Sequence, residues 1–506
     1  MGQKRKRDVN GVPAASSSPA TSPSLTTADS LSKLALSSTS FQIIAGSYDR
    51  VLHGLRVTIP SNDTSSSSSK PSATFTPLFL FTAHASSIRC LAVSPPSDAD
   101  GTASNKRTLA TSSPDTKINL YHLHTRTNLG TLAPPSASPT TSLVFPSKST
   151  LISTDEAGYI HIFRTRDWSL LSSLHCPAPK PRPGAILQSG GVNALAVHPS
   201  GKLALSVSRG ERAVRMWNLM TGRKAGVLVF PRSIPRLITG LGDGIKVTWR
   251  PGGKEGYAVM FERGVVLFGV DSEVRGKIVT TPVTKVHNIK FLEVEINNET
   301  QEVCFVATED GRVVVYSIPK EGETKKADEE GKEEEGEEDE IKPFVIDTIT
   351  PPSSDKSRIK DFDILPHPSA DQKSKYFLTT ANSEGIIRVY TLDFANIHIK
   401  GGAQPKKQKV EKDPESKNDD SETDGVQIQT TGFAQMAGEY STDRRITCLT
   451  TAELDESAVG IVKDGQDEDL DDSESDSEEE DDDKYKDKDG VEDEDDEEEE
   501  WGGIEE

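Results

Sequence analysis

Residues 191–223, GGVNALAVHPSGKLALSVSRGERAVRMWNLMTGR, constrain the fold more than any other part of the chain. A first strand alternates through Val192, Ala194 or Leu195, and Val197. His198-Pro199-Ser200-Gly201 then makes a turn, because proline pre-sets φ and glycine tolerates a reversed backbone. An apolar strand runs from 203 to 207, a tight polar turn follows, and a further strand ends Val214-Arg215-Met216-Trp217. Short strands punctuated this way read as one blade of a β-propeller. A propeller is commonly a platform for partners, so the question becomes what this one holds.

The Trp217-Asn218-Leu219 ending is a near-match to the Trp-Asp dipeptide that marks WD40 repeats. Further first strands begin near Ile88, Thr141, Ile245, Val286, Ile359 and Ile446, which with Val192 makes seven repeats. Their spacings are 53, 51, 53, 41, 73 and 87 residues. The last two are long because inserts fall between strands, where insertion is tolerated. The two ends complement each other. Residues 41–57 look like the second and third strands of a blade with no first strand, and 445–450 like a first strand with nothing after it. Joined, they leave no open central sheet edge. The expected fold is all-β, a seven-bladed WD40 propeller over 41–452, closed by N- and C-terminal strands of one blade.

Composition sets the limits of that ring. Apolar residues make up only 34% of the 506, and the deficit is local. Residues 1–40 are rich in Ser, Thr, Pro and Ala after a basic start, while 320–342, 400–430 and 453–506 are polar or charged. Such segments bury too little apolar surface to offset chain entropy, and disorder is expected of them. The net charge of −22 hides an asymmetry. Residues 464–506 hold 27 acids against 3 lysines, 320–342 hold 12 against 5, and the remainder is +9. A mildly basic body with acidic appendages suits RNA or a basic protein as partner. Cys90, Cys176, Cys304 and Cys448 show no C-x-x-C spacing, so neither a zinc site nor a disulfide framework is indicated. Cys90 and Cys448 occupy matching places in Ile-Arg-Cys-Leu and Ile-Thr-Cys-Leu and are expected on buried strands. No run of about 18 apolar residues calls for a membrane span, and no cofactor or metal signature is found.

Several repeats place an acid six residues before an aromatic: Asp115 before Tyr121, Glu211 before Trp217, Asp310 before Tyr316 and Glu384 before Tyr390. In the third blade Asp155 comes two positions early before Phe163. In the second blade His84, a hydroxyl such as Ser112, Asp115 and Tyr121 are expected to form a buried hydrogen-bond network, left incomplete because tyrosine replaces tryptophan. A catalytic role for His84 and Asp115 is the alternative. It is outweighed because buried polar groups need partners anyway, and no H-E-x-x-H, G-x-S-x-G, P-loop or kinase signature accompanies them. The chain is not expected to be an enzyme.

Two basic runs, Lys4-Arg5-Lys6-Arg7 and Lys406, Lys407 and Lys409, together favour nuclear import. Arg209, Arg212, Arg223, Lys224, Arg232 and Arg236, with Arg215 among them, crowd the fourth blade and its exit. Arginine forks match phosphate oxygens, so this stretch is a candidate RNA- or partner-binding surface; a merely solvated face is the alternative. No aromatics interleave with these arginines, which argues against sequence-specific base reading. Ser473, Ser475 and Ser477 sit among acids, as targets of acid-directed kinases do, and phosphorylation would add about −1.5 to −2 charge at each. The acidic tail either solubilises the chain or shields basic partners such as ribosomal proteins.

Residues 43–49 (IIAGSYD), 196–207 (AVHPSGKLALSV), 214–224 (VRMWNLMTGRK) and 444–449 (RRITCL) together resemble the maintenance-of-killer WD-repeat family of fungi, related to the animal PAK-interacting protein. The likeness spans 41–319, 343–392 and 434–452, with the fourth blade as its specific part; Glu211 stands where aspartate is usual. The resemblance implies a nucleolar factor in assembly of the large (60S) ribosomal subunit, binding pre-60S particles through pre-rRNA and ribosomal-like proteins. For the animal branch it also implies restraint of PAK-type kinases. It brings no catalytic residue.

Overall fold

A computed structural model describes residues 38–60, 72–96, 107–179, 190–240, 242–296, 299–319, 341–352, 355, 357–368, 374–399, 428–430 and 433–454. Both basic runs (Lys4, Arg5, Lys6, Arg7; Lys406, Lys407, Lys409), the serines Ser473, Ser475 and Ser477, and most of the stretches expected to be disordered lie outside the described residues.

Seven four-stranded antiparallel sheets form among the described residues. Blade 1 takes its inner strand from the far end of the chain, Ile446–Glu453, and continues outward through Ser38–Ser47, Val51–Pro60 and Thr74–Thr82. The inner strands of blades 2 to 7 are Cys90–Val93, Thr140–Ser147, Val192–Val197, Lys246–Trp249, Val286–Ile296 and Ile359–Pro366. Each inner strand packs on the inner strands of both neighbours, and blade 7 returns to blade 1, so the ring is closed. The closing pairing is the one expected from the sequence, with Ile43 opposite Thr451 and Ala45 opposite Leu449. Glycine is required beside it: a Cβ on Gly46 would meet Ile88 Cγ2 at 2.6 Å and Cys448 Sγ at 2.8 Å.

A blade's second strand is sandwiched between neighbouring sheets, so it reads as an unbroken apolar run rather than an alternation. Leu203–Ser208 and Tyr257–Met260 are buried almost throughout. Outer strands are covered on one face only, and Arg223–Val229 leaves Val227 and Val229 exposed. The core lies between blades. Trp217 of blade 4 packs with Ile152, Ile160 and Leu174 of blade 3. Phe230 meets Phe261 edge-on at 4.9 Å, and Phe41 of blade 1 stacks on Phe377 of blade 7 at 5.1 Å. Such aromatic pairs add about 0.5–1.5 kcal/mol each beyond the area they bury. Cys448 is buried and Cys90 half-buried on matching inner strands. Burial pushes the Cys90 thiol up to about 11 and the Cys448 thiol well above its ordinary value.

At the centre, polar side chains bind blade to blade. Asp361 and Asp363 of blade 7 accept the backbone N–H groups of Leu449 (2.8 Å) and Thr451 (2.7 Å) in blade 1. From the other side Asn288 Nδ2 donates to Asp361 at 2.5 Å and Lys290 Nζ to Asp363 at 2.5 Å, both from blade 6. Lys246 of blade 5 continues the chain to Asn288 Oδ1. Burial, then the charge of Lys290, holds the Lys246 ammonium down at about 8. Within blade 7, Ile428–Thr430 pairs with Ile397–Ile399, so the last residues of the 400–430 stretch are strand. No described helix is long and apolar enough to cross a membrane.

One buried base makes the ring sensitive to acid. His53, on the third-position strand Val51–Pro60, is 5% exposed. Burial, helped by the charge of Arg444, lowers its pKa to about 4. The unfolded chain binds this proton near 6.5, so stability falls as pH drops below about 6.5 and the loss levels off below about 4. The expected cost at pH 5 is about 1–2 kcal/mol after allowance for solvent screening. Urea midpoints at pH 7 and pH 5 check this: the difference should shrink in His53→Gln, and an equal difference in both proteins would assign the acid sensitivity elsewhere.

Candidate functional site

Strand direction sorts the polar residues between the two ends of the ring. The turn between a blade's second and third strands lies against the segment that leads into its first strand. Hydrogen bonds show this around the ring: Tyr48 N to Arg445 O (2.8 Å), Glu156 N to Pro139 O (3.0 Å), Arg209 N to Gly191 O (2.8 Å), Glu309 N to Lys285 O (2.9 Å) and Ser383 N to Arg358 O (3.0 Å). This end is the turn face. The hairpin turns between first and second and between third and fourth strands lie at the opposite end.

In blade 2, His84 and Asp115 meet as a buried pair, and the hydroxyl beside them is not the expected Ser112. His84 is 5% exposed and its Nδ1 lies 3.0 Å from Asp115 Oδ2. Its Nε2 lies 2.8 Å from Thr111 Oγ1, so Thr111, not Ser112, supplies the hydroxyl. Ser112 Oγ instead faces Cys90 Sγ at 2.9 Å. The reason is the pleat: successive strand residues point to opposite faces, so only one of the two can meet His84. Asp115 also receives Ala85 N at 3.1 Å and Lys117 N at 3.2 Å. With Nδ1 donating to the carboxylate and Nε2 accepting from Thr111, both ring nitrogens are committed to holding the turn. Tyr121 sits edge-on to Phe81 at 5.4 Å, and Asn119, two residues earlier, reaches the Ala83 carbonyl at 2.6 Å.

The acid–aromatic pairs do not meet in the other blades either. The acid sits in the turn and the aromatic near the far end of the following strand, so each side chain finds partners of its own. Trp217 Nε1 donates to Ser206 Oγ at 2.8 Å, while Glu211 grips Arg215 through Nε at 2.8 Å and Nη2 at 2.5 Å. Asp310 holds Thr308 and Arg312, whereas the Tyr316 hydroxyl donates to the Val279 carbonyl at 3.3 Å. Asp155 binds Tyr159 N at 2.7 Å and lies 3.4 Å from His161 Nε2, both side chains almost fully buried. Burial would raise the Asp155 pKa, but hydrogen bonds from His161 and Tyr159 N–H hold it below the ordinary value. The residue two before the aromatic does the bonding: Asn119, His161, Arg215, and Arg388, which joins Asp355 at 2.6 Å and Glu439 at 2.7 Å. That position was the sequence signal that the acid–aromatic spacing obscured.

The arginine-rich stretch divides. Arg209 and Arg212 lie in the turn of blade 4. Arg232 and Arg236 follow its outer strand and return to the same end, where Phe230 N bonds the Arg212 carbonyl at 2.9 Å. Arg232 and Arg236 are exposed, and Arg212 lies across Gly242. Arg223 and Lys224 pair with Asn218 and Trp217 at the start of the outer strand, so they belong to the opposite end. Arg215 is 8% exposed and neutralised by Glu211. Four of the six surface candidates therefore share one face, and two do not. No group of three or more His, Cys, Asp or Glu suited to a metal ion is present among the described residues.

Residues 75–122, from the outer strand of blade 1 to the third strand of blade 2, match the WD domain, G-beta repeat family. Over 360 residues the chain is 26% identical to p21-activated protein kinase-interacting protein 1-like of Gallus gallus, covering 71% of this chain and 74% of that protein. Over 368 residues it is 29% identical to Protein MAK11 of Saccharomyces cerevisiae, covering 70% of this chain and 78% of that protein. A shorter match, 28% identical over 38% of this chain and 48% of the relative, is to Shk1 kinase-binding protein 15 of Schizosaccharomyces pombe. None of these names is that of an enzyme, and the fold typically serves as a scaffold. The chain is a seven-bladed WD-repeat propeller, similar over most of its length to the p21-activated protein kinase-interacting protein 1-like proteins and to Protein MAK11.

Proposed function

We propose that this chain is a non-enzymatic WD-repeat scaffold in nucleolar assembly of the large ribosomal subunit and in pre-rRNA maturation. The grouping of Arg209, Arg212, Arg232 and Arg236 at one end of blade 4 carries the reading. Four guanidinium groups from one turn and one exit loop form a surface that suits phosphate oxygens without reading base edges. The likeness to Protein MAK11 and the family resemblance seen in the sequence support the same role. The N-terminal basic run suits nuclear import, and the acidic residues 464–506 suit transient contact with basic ribosomal proteins. A second reading, docking of a PAK-type kinase, is favoured by the names of the chicken and fission-yeast relatives, which describe kinase-interacting and kinase-binding proteins.

Affinity purification of the tagged chain, followed by gradient sedimentation and sequencing of bound RNA, separates the two. Large-subunit pre-rRNA in a heavy nuclear particle is expected. Arg232→Glu with Arg236→Glu should lower the recovered RNA about tenfold, because a guanidinium that no longer neutralises a phosphate also forfeits the release of its counterion. A light, RNA-free complex with a kinase, insensitive to ribonuclease, would replace the assembly reading with the second.

A further inference from the structure

Three solvent-facing aliphatic side chains surround one turn of the turn face, residues 261–264 of blade 5. Leu237 is 52% exposed, Val283 42% and Ile245 40%. Each comes from a different segment. Leu237 lies on the one-turn helix Arg236–Thr239, after the outer strand of blade 4. Ile245 leads into the inner strand of blade 5, and Val283 into that of blade 6. All three segments are bonded to the blade 5 hairpin. Arg263 N donates to the Ile238 carbonyl at 3.1 Å, Ile245 N to the Met260 carbonyl at 2.9 Å, and Val286 N to the Glu262 carbonyl at 2.9 Å. Gly264 also lies against Ile238, and Gly240 against the Glu262 side chain. The aliphatic groups are therefore gathered about one turn by fixed backbone contacts. Apolar surface gathered this way, unlike single exposed residues, marks an interaction site.

The charges around this patch are unequal. Its carboxylates are engaged: Glu262 holds Lys285 at 3.0 Å, Asp310 holds Arg312 at 2.6 Å, and Asp243 accepts the Gly210 N–H at 2.7 Å. Arg236 and Arg263 are exposed and make no ion pair with a described carboxylate. A run of phosphates laid here would set charge against Leu237, Ile245 and Val283 without covering them. A segment that carries acids beside apolar side chains would satisfy both the cations and the aliphatic groups.

We propose that this patch docks a short acidic segment of a partner protein through two or three apolar side chains. Arg236 and Arg263 grip the carboxylates that flank those anchors. The apolar anchors supply most of the affinity, and the cations set the polarity of the partner. The site adjoins the arginines of the assembly reading but rests on its own anchors. Substitutions at Leu237 and Val283 leave every one of those arginines in place, so either idea can fail alone.

Panning a phage-displayed library of random peptides against the purified full chain tests this. Selected peptides should carry net negative charge and at least two of Leu, Ile, Met, Phe or Trp. Measured by fluorescence anisotropy, they should bind at least about tenfold more weakly to Leu237→Ser with Val283→Ser, which removes two anchors. Arg263→Glu should weaken them several-fold. Leu129→Ser with Met220→Ser, which removes exposed apolar groups at the opposite end, should change nothing. Serine in place of the apolar residues of the peptide should also cost about tenfold or more. The large-subunit pre-rRNA recovered with the Leu237/Val283 variant should equal that of the parent. Thermal melts distinguish loss of the site from loss of the fold, and Leu237→Ser with Ile245→Ser serves if the first variant does not fold. Several outcomes would each overturn the proposal: no enrichment, enrichment of basic peptides, affinity that survives in the folded variant, or a fall in recovered RNA. A serine-substituted acidic peptide that binds as tightly as its parent would do so too, by making the surface a general polyanion site.

Discussion

A chain ending at Arg445 is expected to show no cooperative unfolding transition and to aggregate. The missing strand, Ile446–Glu453, fills the centre of blade 1, where Ile446, Cys448, Leu449 and Ala452 are all buried. Burial of Ile446 and Leu449 alone stabilises the ring by about 1.5–3 kcal/mol each. Its removal also bares the edge of Ser38–Ser47 and strips Asp361 and Asp363 of the N–H groups of Leu449 and Thr451. Each buried acceptor left short of a partner costs about 1–3 kcal/mol. The sum is comparable to the whole stability of an ordinary domain, about 5–15 kcal/mol. Deletion of 41–59 should do the same, because it removes the strands that the C-terminal one pairs with. Circular dichroism melts with size-exclusion chromatography check both; a sharp melt near that of the parent would show that the ring does not depend on this closure.

Arg250→Met should destabilise the chain by about 3–5 kcal/mol, the second large effect. Arg250 is 1% exposed, at the end of the inner strand of blade 5. Its Nε lies 3.0 and 2.9 Å from the two oxygens of Glu302 in blade 6, and Nη2 is 2.6 Å from both Glu302 and Glu255. Burial raises the Glu302 pKa and Arg250 only partly offsets this, so the carboxylate is already strained toward its neutral form. Without the guanidinium, Glu302 is left 8% exposed with no counter-charge. Replacing both partners removes the unpaired charge, so Arg250→Met with Glu302→Leu should recover most of the loss. Urea midpoints of the single and double variants measure it. A double variant no more stable than the single one would mean that packing, not the buried charge, sets the cost.

The two predictions differ in how legible their causes are. The missing first strand at one end of the chain and the missing later strands at the other can be read directly, because strand period and turn residues are local signals. The seven first strands fall within about two residues of their expected positions for the same reason. The Arg250–Glu302 pair cannot be read, since its members lie 52 residues apart and nothing in either segment marks the other.

The sequence by itself determined the all-β class, the seven repeats and the strand exchange that closes the ring. These follow from apolar periodicity and turn chemistry, which act over a few residues. Only the tertiary structure decided which polar groups meet. Thr111 rather than Ser112 faces His84 because a one-residue step reverses a strand side chain. Arg223 and Lys224 part from Arg209 and Arg212 because a six-residue strand carries the chain from one end of the ring to the other. Asp361 and the Leu449 N–H, distant in sequence, come together because blade 7 packs against the strand that completes blade 1. A ring makes neighbours of residues by blade and by end, and that sorting depends on the closed geometry rather than on any stretch of the chain.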